Sequence, residues 1–186
     1  MAASIVGNLF HMRNDRIRES FQNFENSEHR IERFAEFDDV QFINDSKATN
    51  AAAAWHALNT MTRPIVWIAG GIDKGNDYGT LLPVVKENVV VLIAMGKLND
   101  KLIAAFEKHV PKLIQVTNME EAVAAAIEVA EKGQAVLLAP ACASFDLFDS
   151  YEERGEKFKE IVENHYMTPA EREAKVLAQA ESNTES

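Results

Sequence analysis

Residues 64–71 read PIVWIAGG. The apolar run is too short for a helix buried on all sides. It is entered through a proline and left through a glycine pair, the pattern of a strand covered on both faces. The pattern recurs in VVVLIAMG at 89–96, LIQV at 113–116 and AVLLAP at 135–140. Between 117 and 132, Met119, Val123, Ala126, Ile127 and Ala130 share one helical face, Thr117 and Glu120 have the spacing of a capping box, and Gly133 reads as the stop. Strands alternating with amphipathic helices make an α/β domain, a mostly parallel sheet with helices on both sides. Residues 33–37 and 40–44 flank Asp38-Asp39 as a hairpin, and 51–58 and about 150–165 read as helices. Two pieces lie outside this unit: a helical appendage over 1–28, and a tail over 166–186, helical with a frayed end.

The 186 residues leave room for one well-cored domain plus an appendage, and 47% hydrophobic content is ample for a packed core. A formal net charge of −10 opposes binding to a phosphate backbone or an anionic bilayer, so nucleic acid and membrane are not expected partners. Cys142, the single cysteine, cannot form an internal disulfide, and no apolar run of about 18 residues is present. The N-terminus is apolar before it is basic, the reverse of a signal peptide. A reducing cytoplasm is the expected setting.

Three segments depart from core-and-surface patterning, and each follows a predicted strand: NDSKATN at 44–50, GGIDKGND at 70–77 and PACASFD at 140–146. Ligands of open α/β sheets bind at the carboxyl ends of the strands. Parallel strands would therefore bring Lys47, Thr49, Lys74 and Ser144 to one crevice, where two ammonium groups and two hydroxyls suit a carboxylate or phosphate. Plainer roles compete. Asp45 or Ser46 would cap the next helix, and Gly70-Gly71 would merely turn the chain. The G-x-x-x-x-G spacing of Gly70 and Gly75 is followed by Asn76-Asp77, so the lysine and hydroxyl of a phosphate loop are missing, and no G-x-G-x-x-G occurs. Asp73 and Asp77 read as satisfying turn amides, Cys142 as a buried small hydrophobe, and the histidines lack metal-ligand spacing.

His29-Arg30-x-Glu32, INDSKATN at 43–50, GGIDKG at 70–75, LLAPACASFDLF at 137–148 and Tyr151-Glu152-x-Arg154-Gly155 occur in that order. Together they resemble the C-terminal domain of the Mur ligases, nearest the D-glutamate-adding branch, over about residues 29–163. The resemblance implies a Rossmann-like amino-acid-binding domain over 29–165, with 1–28 a helical remnant of the central ATP-binding domain. It further implies a three-domain cytoplasmic enzyme of peptidoglycan synthesis. With ATP and Mg²⁺, such an enzyme turns the carboxylate of UDP-N-acetylmuramoyl-L-alanine into an acyl phosphate that the amine of D-glutamate attacks. Carried over by position, Thr49, Lys74, Ser144, Phe145 and Tyr151 would contact D-glutamate, while Arg30, Asp45 and Lys47 would face ATP, Asp45 toward the ribose. No metal ligand and no certain catalytic residue is assigned. Phe145 and Tyr151 depart from the residues usual in the family, leucine and often phenylalanine. The central domain's phosphate-loop lysine is absent, so the chain is expected to be inactive alone, with a hinge near 27–30. The alternatives are the matching domain of another Mur or folylpolyglutamate ligase, or a non-catalytic α/β binding module.

Overall fold

The computed structural model describes residues 28–184; the expected appendage, apart from residue 28, lies outside the described residues. Its centre is a six-stranded sheet. Strands β1 (Glu32–Phe37) and β2 (Val40–Asn44) form the predicted antiparallel hairpin, with Asp38 and Asp39 at φ 52° and 64°. Positive φ at both central residues matches the twist of a two-residue hairpin. Strands β3 (Ile65–Ala69), β4 (Val89–Met95), β5 (Lys112–Val116) and β6 (Ala135–Leu138) run parallel to β2, in the order β1-β2-β6-β3-β4-β5. The last strand in sequence thus sits between β2 and β3.

Both faces of β3 are covered, as its unbroken apolar run requires. Ile65, Trp67 and Ala69 join one core cluster, whereas Val66 and Ile68 join the other. The first cluster lies under α1 (Ala51–Thr60), a 3₁₀ turn (Tyr78–Leu81), α2 (Leu82–Asn88) and α3 (Asp100–Phe106), through Leu58, Leu81, Val85 and Phe106. The second lies under α4 (Met119–Val129) and α5 (Tyr151–Tyr166), through Met119, Val123, Phe158 and Val162. A last helix, α6 (Pro169–Thr184), folds back beside the hairpin, where Lys175 meets Glu163 at 2.6 Å and the carbonyl of Phe34 at 3.3 Å. The expected tail is therefore helical through Thr184. Among the described residues no helix is long and apolar enough to cross a membrane.

Several local expectations need correction. Asn118, not Thr117, caps α4, its Oδ1 accepting from Glu121 N–H at 2.8 Å, and Glu121 rather than Glu120 reaches back to the Thr117 N–H. Asparagine is the better cap, and the paired carboxylate moves with it. Gly133 does not stop α4, which ends at Val129. At φ 84° it turns the chain into β6, its N–H held by the carbonyl of Asp39. The short helices α2 and α3, which lack a full amphipathic repeat, were not anticipated.

Candidate functional site

Parallel pairing brings the carboxyl ends of β2, β3 and β6 to one edge, and the three unusual segments leave the sheet there. They are stitched to one another. From the last residue of β6 onward, every carbonyl from residue 138 to 143 is taken by a different donor: Leu138 by Asp45 N–H, Ala139 by Trp67 Nε1–H, Pro140 by Gly70 N–H, Ala141 by Asn76 Nδ2–H, Cys142 by Arg154 Nη1–H and Ala143 by Ile72 N–H. Ser144 then accepts from both Leu147 and Phe148 N–H. A strap so held keeps Ala141 at φ 58°, a conformation that alanine seldom adopts. Gly71 makes the approach possible, because a Cβ there would collide with the carbonyl of Ala143.

Arg154 is the second stitch. It is 1% exposed. Its Nε donates to Ser46 Oγ at 2.9 Å, Nη2 to the carbonyl of Ser46 at 2.9 Å and Nη1 to the carbonyl of Cys142 at 3.1 Å, so one guanidinium locks the first loop to the strap. Burial pulls its pKa down to about 10, which leaves it cationic at neutral pH. Ser46 Oγ in turn donates to the carbonyl of Tyr151 at 2.7 Å. Gly155 follows because a Cβ there would strike His29 and the buried Asn44, whose side chain ties Glu32, His29 and the Ser46 N–H together. The first segment therefore does not cap the next helix through Asp45 or Ser46. Asn50 caps α1 by accepting from Ala53 N–H at 2.9 Å, which frees the earlier residues for other contacts.

The expected site residues sort into two neighbourhoods. Arg30, Asp45 and Lys47 line a cleft of about 350 Å³ together with Ile31, Ala48, Ala53, His56 and Ala57. Desolvation pushes the Asp45 carboxyl up to about 6, against the opposing pull of the Ile31 N–H and the Arg30 charge. Lys47 Nζ stands 5.5 Å from the Tyr151 ring centroid. In the second neighbourhood, Lys74 Nζ stands 5.5 Å from the ring of Phe145, which is 61% exposed. Ser144 is buried beside it, and Thr49 is half-buried just before α1. Asp73 accepts from the N–H groups of Gly75 and Asn76 and pairs with Lys101 at 2.7 Å, while Asp77 accepts from Gly79 N–H. Both carboxylates serve turns. Cys142 Sγ is buried 3.2 Å from Tyr78 Oη, and desolvation raises the thiol's pKa, so the thiolate is disfavoured. Sequence reasoning passed over Asn76, Arg154 and His56. The first two stood inside quoted motifs, but only the fold reveals what they hold.

Residues 29–142 match the family model described as the Mur ligase, glutamate ligase domain. The UDP-N-acetylmuramoylalanine--D-glutamate ligase of Christiangramia forsetii is 49% identical over 164 residues, which is 88% of this chain and 37% of that protein. The chain thus spans little more than a third of such a relative. Among solved structures, UDP-N-acetylmuramate-alanine ligase from Thermotoga maritima superposes with a TM-score of 0.59 at 12% identity, covering 87% of this chain and 36% of that one. The bifunctional folylpolyglutamate synthase/dihydrofolate synthase from Yersinia pestis, complexed with AMPPNP and Mn, gives 0.54 at 16% identity over 81% and 35%. At such identities the likeness is one of fold.

Proposed function

This chain belongs to the Mur ligase glutamate ligase domain family, and from that premise we propose that it binds D-glutamate for the ligase that joins this amino acid to UDP-N-acetylmuramoyl-L-alanine in the cytoplasm. The observation that supports this most is the stitched rim, where the loops bearing Thr49, Lys74 and Ser144 share hydrogen bonds through Asn76 and the 138–143 strap. D-Glutamate carries two carboxylates. Lys74 offers one a charge-assisted hydrogen bond, Ser144 and Thr49 offer hydroxyls, and Phe145 covers the ammonium of Lys74 from outside. The service is positional: an amine held at the attack distance gains about 7 to 11 kcal/mol of effective concentration over a free one.

In the same proposal the cleft of Arg30, Asp45 and Lys47 receives part of ATP. Its chemistry suits that role, with two cations for phosphate oxygens and a carboxylate for ribose hydroxyls, over an apolar floor of Ala48, Ala53 and Ala57. When bound, ATP with Mg²⁺ supplies the phosphoryl group that activates the acceptor carboxylate. Tyr151 stands beside Lys47, with the ring of His29 edge-on to it at 6.2 Å.

The test is an amide-shift titration with D-glutamate, L-glutamate and L-lysine. Residues 49, 74 and 144 are expected to move with the D isomer and to move less, or not at all, with the others. Equal responses to all three, or no response at these amides, would overturn the assignment, and a preference for L-glutamate would move the chain to a folate-type ligase.

A further inference from the structure

The Asn76 side chain joins the Lys74 loop both to the 140–146 strap and to the start of α1, directly after the first loop. It sits at the end of the Lys74 loop. Its Oδ1 accepts from the N–H of Ala51 at 3.0 Å, the first residue of α1 and two beyond Thr49. Its Nδ2 donates to the carbonyl of Ala141 at 2.8 Å, three residues before Ser144, and lies 4.0 Å from Cys142 Sγ. Only an amide presents an acceptor and a donor side by side in this way, and only one orientation satisfies both partners. The backbone of Asn76 is fixed in turn: its N–H goes to Asp73 Oδ1 at 2.7 Å, and its carbonyl receives Lys101 Nζ at 3.1 Å, with Lys101 also 2.7 Å from Asp73.

We propose that Asn76 is a positioning residue for amino-acid binding: its amide fixes where Thr49 and Ser144 stand relative to Lys74. The proposal rests on the D-glutamate reading above. A donor directed at the Ala141 carbonyl and an acceptor offered to the Ala51 N–H are both needed, because the other backbone bonds that tie the Lys74 loop to the strap come from its glycine end, at Gly70 and Ile72. The strain at Ala141 makes that side the more dependent of the two, since its carbonyl is aimed by this one side-chain donor.

Asn76→Asp separates the two halves. It keeps the shape and the acceptor for Ala51 N–H, but sets a carboxylate oxygen against the carbonyl of Ala141. Asn76→Ala removes both bonds. In the free chain, amide hydrogen exchange at residues 141–144 is expected to rise at least tenfold in both variants. The Ala51 amide should lose protection only in Asn76→Ala. Unchanged exchange at 141–144 in a variant that melts like the parent overturns the proposal without any ligand. In the D-glutamate titration, either variant is expected to bind at least tenfold more weakly and to lose its preference over L-glutamate. Parent-like affinity and preference in both variants would overturn the positioning role while leaving the D-glutamate assignment standing. Failure of the parent chain to respond would instead remove the assignment, and with it this role. A thermal melt on each variant distinguishes a displaced rim from a generally loosened fold, because Asn76→Asp is expected to shift the local exchange far more than the midpoint.

Discussion

A guanidinium at 1% exposure, with no carboxylate bonded to it among the described residues, is expensive to bury, and Arg154 is tolerated because three acceptors on two loops face it. Replacing it with methionine would fill much of the volume but leave the carbonyls of Ser46 and Cys142 buried without a donor. Each such orphan costs about 1 to 3 kcal/mol, and removing the buried charge offsets part of that, so Arg154→Met is expected to lower unfolding stability by about 2 to 4 kcal/mol in a urea titration. Arg154→Lys should fall between, since one ammonium cannot reach all three acceptors in the fork geometry. A methionine variant within about 0.5 kcal/mol of the parent would show that the first loop and the strap hold together without this link. His29 and Gly155 belong to the same packing: the ring occupies the space that any side chain at 155 would need.

The elements follow local chemistry wherever local chemistry is decisive. The β1–β2 turn is a case: Asp38 and Asp39 both sit at positive φ, which aspartate accepts and glycine accepts more readily. Asp39→Gly is therefore expected to raise stability by roughly 0.5 to 1 kcal/mol. It would give up only an exposed pairing of Asp39 with Arg63, at 3.3 Å and worth little; a loss of stability would mean that the ion pair outweighs the backbone strain. The buried strands were legible for a similar reason, since Ile65, Val66, Trp67, Ile68 and Ala69 must each find a covered face whichever way it points. The 3₁₀ turn and α2 were not, because Pro83 sits within a stretch whose helical character depends on packing Leu81 and Val85 under the sheet. At the site, the loops announced themselves by composition after a strand. Their mutual bonds did not, because Arg154 and Ser46 are 108 positions apart in the chain and Asn76 and Ala141 are 65 apart. Asp45 and Ser46 looked like caps for the same reason: the residues that claim them, Ile31 and Arg154, come from elsewhere.

At the scale of the whole molecule, Asp45 couples the cleft to stability. Its carboxyl titrates at about 6 in the folded chain, against an ordinary value of 3.8, because the cleft withholds water from it. Between those two values the folded state holds a proton that the unfolded state has released, so stability must fall as pH rises through this window. The protonated contribution is complete below about pH 4 and gone above about pH 6. The shift of about two units corresponds to an upper bound of roughly 3 kcal/mol. Asp45→Asn carries no such titration yet can still accept from Ile31 N–H, as Asp45 Oδ1 does at 3.3 Å. The variant is therefore expected to match the parent near pH 4 and to exceed it by about 2 to 3 kcal/mol at pH 7, read from urea unfolding at several pH values. A parent and variant that stay parallel from pH 4 to 7 would mean that the carboxylate is solvated well enough to ionise without cost. A charge kept at that cost, in a cleft shared with Arg30 and Lys47, fits the proposed nucleotide role, in which ribose hydroxyls would donate to it. Asp45→Asn should accordingly be the more stable protein and the poorer binder of ATP with Mg²⁺ at pH 7. Near pH 5, where the parent's own carboxyl is mostly protonated, that difference in binding should shrink.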